Sequence, residues 1–233
     1  ALLEVSGNLN IDVFGFFQVS GGFALSKSTG TITLSDTAAT EVTVDQLTLG
    51  ASNVSAFAGI AGGTSDAVGL ALTDVEFALG IFSDEADPTR TWTALQATAG
   101  NFGFIGVEDL SVTGTTLSVS INQAPVGEDV ANFAVNSVAV KTGPSSSKDL
   151  DMDGSRGELL EVSGNLDIDV FGFFQVSGGF ALSKSTGTIT LSDTAATELT
   201  VDQLTLGASN VTAFAGIAGG TSDAVGLELT DVE

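Results

Sequence analysis

The chain has 233 residues and sets 29 acidic side chains against six basic ones, a formal charge of −23, and it contains neither cysteine nor histidine. That balance excludes a nucleic-acid or anionic-membrane surface, both of which call for clustered Lys and Arg. The missing residues exclude disulfides, thiolate zinc sites, thiol nucleophiles and the Ser-His-Asp triad.

The chain is 43% hydrophobic and rich in glycine, so it is not disordered by composition. No apolar run approaches the roughly 18–20 residues of a membrane-spanning helix, so membrane insertion is not expected. Leu3, Val5, Leu9, Ile11 and Val13 alternate with polar residues. This is the period of a half-buried strand. Phe14, Gly15, Phe16 and Phe17 follow as a dense aromatic group, read as core or inter-sheet packing because carbohydrate-stacking platforms favour Trp and Tyr, and Tyr is absent. Alternation resumes at Ile32 and Leu34, at Val42 and Val44, and at Leu47 and Leu49. The Ser, Thr and Gly of 20–35 and 50–66 predict exposed edges and loops.

Further along, SDEADPTR (83–90) is an acidic loop in which Asp84, Glu85 and Asp87 lie close to Arg90. A turn with an internal ion pair is the plainer reading, and a second cation site the sharper one. Asp66 and Asp74 read as turn and cap residues. Leu110, Val112, Leu117, Val119 and Ile121 continue the strand pattern. Six segments read as strand, bend, strand: 3–13, 23–34, 47–59, 70–80, 95–106 and 110–121. Their spacing of about 15–25 residues is near the rung length of a repeat solenoid. The fold expected is all-β. A β-solenoid or solenoid-like prism is favoured, with a β-sandwich as the alternative.

Lys141–Lys148, KTGPSSSK, has the composition of a linker. DLDMDGSRGE (149–158) follows. Asp149, Asp151 and Asp153 sit at alternate positions and Gly154 permits a sharp bend, the ligand spacing of a calcium loop. Ser155, through its carbonyl, and Glu158 complete the expected ligand set. The loop departs from an EF-hand: its twelfth position is Leu160 and no helices flank it. Then the sequence starts again. Leu2–Glu76 returns as Leu159–Glu233, and of 75 aligned positions four differ: Asn10/Asp167, Val42/Leu199, Ser55/Thr212 and Ala71/Glu228. The expected organisation is a first β unit over 1–148, a junction loop over 149–158, and the first half of a second unit over 159–233. Self-similarity at this scale points to a piece of a tandem array.

Near-identical units, an acidic cysteine-free composition and a junctional DxDxDG together resemble the very large tandem-repeat surface proteins of Gram-negative bacteria, RTX-type adhesins among them. The resemblance covers the whole chain. It implies an extracellular or cell-surface, non-catalytic, repeat-forming role. The GGxGxDxUx nonapeptide of calcium β-rolls is absent, so that fold is not implied. The function expected is a structural repeat of a long fibre or adhesin stalk, stiffened by calcium at the junction. The alternative is a cell-surface carbohydrate-binding module. Expected partners are neighbouring copies of the repeat, self-association end to end or side by side, and surface polysaccharide. Catalysis is not expected, because no carboxylate pair stands near aromatic subsites. Ice binding would need a regular Thr ladder that the unit lacks.

Overall fold

A computed structural model of the chain describes residues 2–192 and 195–233. Among these are twelve strands: β1 (Leu3–Val13), β2 (Phe17–Thr33), β3 (Glu41–Ile60), β4 (Val68–Asp84), β5 (Thr91–Ile105), β6 (Leu110–Gln123), β7 (Val138–Lys141), β8 (Ser147–Leu150), β9 (Leu159–Val170), β10 (Phe174–Thr190), β11 (Glu198–Ile217) and β12 (Val225–Val232). The chain is all-β, as its alternation predicts. Ten strands form one open antiparallel sheet in the order β1-β2-β3-β4-β5-β6-β9-β10-β11-β12, and β7 and β8 form a separate hairpin. Consecutive strands are joined by reversals into a meander, and each segment read as strand, bend, strand lies in one long strand.

The bend inside β3, β4 and β6 is a bulge. Asn53, Asp74 and Thr116 take positive φ (51°, 53° and 55°), and Asn210 and Asp231 repeat the first two. Asn and Asp tolerate this region better than most residues. The pairing slips beside these positions, between Ala51 and Ala56 on β3 and between Thr115 and Ser118 on β6. One slipped residue inverts every side chain beyond it. The sequence slips as well: Leu47, Leu49 and Ala51 are odd, while Val54, Ala56 and Ala58 are even. The two inversions cancel, so one face stays apolar along the whole strand.

The Phe group is not core. Phe14 and Gly15 both have positive φ (52° and 70°), the sign pattern of a type I′ turn. Phe16 N–H closes the turn on the Val13 carbonyl at 2.9 Å. Phe14 is 92% exposed, because it occupies the tip of the β1–β2 hairpin. The stretches 20–35 and 50–66 are also more ordered than their composition suggested. They lie largely in β2 and β3, with Ala24, Ile32, Ala51 and Val54 buried.

The buried cluster lies between the sheet and residues 124–158, which leave β6, cross the opposite face and return as β9. Ile32, Val42, Val44, Ala78, Phe82, Trp92 and Ala94 come from the sheet; Ala131, Phe133, Val140, Leu150 and Met152 come from the crossing segment, called the cap below. The Phe82 and Phe133 rings meet at 5.5 Å, tilted by 43°. Trp92 donates Nε1–H to the Asp129 carbonyl at 2.9 Å. The linker-like stretch 141–148 is the turn of the β7–β8 hairpin and the strand residues beside it, lying flat on the sheet. Thr142 is fully buried, and the Ser52 hydroxyl lies 3.1 Å from its carbonyl. Gly50 makes room for this, since a Cβ there would come within 2.2 Å of the Lys141 carbonyl oxygen.

β9–β12 repeat the pairings of β1–β4, but no second cap covers them among the described residues. Leu34 is 5% exposed and its counterpart Leu191 43%.

Candidate functional site

The residues predicted to hold calcium lie at the end of the cap. Asp149 is on β8, opposite Ala139, and exposed. Leu150 and Met152 alternate with the aspartates and point into the core. This alternation is what turns the aspartates outward. Asp151 is held by Gln96 of β5: its carboxylate accepts from Nε2 at 2.8 Å and its N–H donates to Oε1 at 2.8 Å. Asp153 caps a single 3-10 turn, Gly154–Arg156, by accepting from Ser155 N–H at 2.9 Å. That N–H, with the Ser155 hydroxyl and the nearby Arg156, holds the Asp153 carboxyl below its usual range. Ser155 and Glu158 are exposed. Arg156 pairs with Glu161 at 2.9 Å. Among the described residues no group of three or more Asp or Glu is gathered closely enough to enclose a metal ion.

The loop 83–90 is organised by its ion pair. Asp84 is 5% exposed and meets Arg90 at 2.9 Å; Arg90 also meets Glu128 at 2.8 Å and lies 5.2 Å from the Trp92 ring centroid. Asp87 accepts from Thr89 N–H and hydroxyl. Arg90 thus ties the β4–β5 turn to the cap, a structural task. Asp74 is the bulge residue of β4, and Asp66 N–H is tied to Thr64 within a turn.

The seam between the copies carries more order than either loop. β9 pairs with β6 in eleven registered pairs, from Leu110↔Val170 to Asn122↔Leu159. β1 pairs with β2 over the same number. The sheet therefore passes from one copy to the next without a break.

One polar cleft escaped the sequence reading. It has a volume of about 380 Å³ and lies on the cap side of the sheet, beyond the bulges of β9–β12. Two cross-strand rows form its floor. One is Asp169, Gln175, Phe214 and Glu228; the other is Asp167, Ser177 and Thr212. Asp169 is fixed by Gly172 N–H at 2.8 Å and Gln175 Nε2 at 2.7 Å. Twelve residues line this cleft, and three of the four differences between the copies are among them: Asp167, Thr212 and Glu228. The corresponding residues of the first copy are Asn10, Ser55 and Ala71. The four differences were visible in the sequence. Their convergence was not, because Asp167 and Glu228 are 61 positions apart.

No family model matches the chain, and neither do any curated protein or solved structure.

Proposed function

We propose that the chain is part of a structural repeat array, a length-setting segment of an extracellular fibre or adhesin stalk. The observation that carries this reading is the β6–β9 pairing. A unit that ends on β6 and begins on a β1-type strand extends one sheet by six strands. At about 4.8 Å per strand this adds about 29 Å per unit. Such an array is solenoid-like in the physical sense: each unit touches only its neighbours, and stability accumulates along one axis. Units 1–148 and 159 onward, with 149–158 between them, are the elements of that array. Location outside the cell rests on the acidic, cysteine-free composition and on the resemblance to surface repeat proteins.

Small-angle scattering tests this on chains extended to two and three complete units. An increment in maximum dimension that grows toward about 29 Å per unit as units are added supports the reading. An increment that varies with ionic strength, as for beads on a flexible string, sinks it.

Calcium enters at 149–158. To bind there, Asp151 and Asp153 exchange Gln96 and Ser155 for the cation, and Asp149 turns toward them. Calorimetric titration with calcium is the test. A saturable site lost in Asp151→Asn supports it, and heat indistinguishable from dilution removes calcium from the reading.

A second reading is favoured by the cleft at Asp167, Thr212 and Glu228. A polar, aromatic-floored cleft that diverges between otherwise near-identical copies suits a surface polysaccharide, with hydroxyls meeting carboxylates and Phe214 beneath. Saturable binding on a glycan array, weakened in Glu228→Ala, supports it over the scaffold.

A further inference from the structure

The face of the sheet opposite the cap is apolar from end to end. Val5, Leu25, Leu49, Leu79, Leu95 and Ile121 form one cross-strand row on β1–β6, each directly opposite the next. The row crosses the seam to Leu160 of β9, and the parallel row through Val162 continues to Leu182 and Leu206. No second layer lies over this face among the described residues. Leu25 is 40% exposed and Leu206 75%. Antiparallel sheets are stable with one face wet, but the wet face is then the polar one. Here the polar residues and the cap share the other face.

Charge is segregated in the same way. Of 29 acidic residues, the body of this face carries Asp45 and Asp202, near Lys27 and Lys184 of the adjacent strands; Lys27 and Asp45 meet at 4.0 Å. Glu41, Glu85, Glu158 and Glu198 stand at its rim, Glu85 accepting from the Thr29 hydroxyl at 3.4 Å. A chain of net charge −23 repels its own kind almost everywhere except here.

We infer that this face is a self-association surface, on which a second copy of the chain packs sheet against sheet. Ten strands about 4.8 Å apart and roughly eight residues deep present on the order of 1,000 Å². Covering half of that on each partner reaches the roughly 1,000 Å² in total that a specific interface needs. The face is also continuous through the seam, so it lengthens with every unit. Another sheet of the same repeat lengthens in the same steps and presents the same rows of Leu, Ile and Val. Sheets stacked about 10 Å apart interdigitate such side chains into a core. This inference concerns the chain as it stands and does not depend on its belonging to a fibre.

Sedimentation velocity over a wide range of chain concentration tests it. The expected result is a shift from one chain to two, with dimerisation weakened at least about 100-fold in Leu79→Lys/Leu95→Lys, whose charges would be buried unpaired. Trp92 lies under the cap on the opposite side, so its emission reports whether that variant is folded. If it is not, Leu25→Thr/Leu49→Thr is the replacement, with weaker dimerisation again expected. The native chain has no cysteine, so Leu25→Cys, Leu79→Cys and Ile121→Cys, taken singly, give a second readout: at least one forms a disulfide dimer under mild oxidation, whereas Thr113→Cys on the opposite face does not. A wild-type chain that stays monomeric at every concentration overturns the inference, as does equal association of the charged variant. Monomeric chain that floats with phosphatidylcholine vesicles assigns the face to lipid instead. None of these failures touches the β6–β9 pairing, so the array reading would stand or fall separately.

Discussion

Ile32 and Ile189 are the same residue of one repeated sequence, yet Ile32 is fully enclosed and Ile189 is 41% exposed. Both pair with the next strand in the same register, but the cap lies over Ile32 only, and the half of β4 that flanks the start of β3 has no counterpart beside β11 among the described residues, where β12 pairs with Val211–Ile217. One repeated sequence thus occurs twice, once beneath a packed layer and once without it, with the cross-strand partner changed from Val42 to Leu199.

Hydrogen exchange should read that difference directly. Local stability follows buried apolar contact. Amides of β3 are expected to exchange more slowly than those of β11, although near-identical sequence makes their intrinsic rates nearly equal. Val42/Leu199 and Ser55/Thr212 distinguish β3 from β11 by mass. Equal protection in the two copies would mean that neither the cap nor the flanking half of β4 adds stability to β3.

The cap's own anchor is Phe133, 1% exposed and packed at a tilt against Phe82. Phe133→Ala is expected to destabilise the capped unit by about 3–5 kcal/mol, the range for removing a buried ring. Phe14→Ala, at the exposed hairpin tip, should change stability by no more than about 0.5 kcal/mol. Urea unfolding followed by the emission of Trp92, the single tryptophan, measures both. A large effect at Phe14 would show that the tip is covered in solution.

The strands were legible because alternation survives even the bulges, which the sequence marks with Asn, Asp or Gly between apolar pairs. Their joining into a meander was less so. Strand, bend, strand reads alike whether the bend is a corner or a bulge, and only the change from odd to even apolar positions tells them apart. The cap was misjudged from its composition, because Pro, Gly and Ser that look like a linker also form a hairpin able to lie flat on glycines. At 149–158 the aspartate spacing is that of a calcium loop, but Leu150 and Met152 between the aspartates also make an alternating strand. The intervening residues, not the aspartates, decide which face is buried.

Acid should loosen the hairpin tips. The Asp12 carboxyl accepts from Gly15 N–H and Gln18 Nε2, and these bonds hold it below the usual 3.8. A pKa lowered by folding contributes stability above the unfolded value, and that contribution is lost as pH falls through the folded one. Relief of repulsion among 29 acidic groups acts in the opposite direction, so the comparison must be with a variant. Between about pH 5 and about pH 2, wild type is expected to lose more thermal stability than Asp12→Asn. Parallel curves for the two would show that the turn does not depend on the ionised carboxylate.

Gly50 and Gly207 give a test in which one substitution takes opposite signs. Each is the glycine of the same strand position, in β3 and β11. At Gly50 an added methyl would meet the Lys141 carbonyl oxygen at 2.2 Å, and at Gly207 it would meet nothing within 4 Å. Gly50→Ala must push the β7–β8 hairpin off the sheet, with a cost of about 1–3 kcal/mol typical of overpacking. Gly207→Ala keeps every contact and restricts only the unfolded chain, a gain of about 0.4–1 kcal/mol. Urea midpoints of the two single variants should move in opposite directions. In a chain extended until a second cap covers β11, the Gly207 variant should change sign and match Gly50. If it stays stabilising there, the second copy does not receive its cap in the geometry of the first.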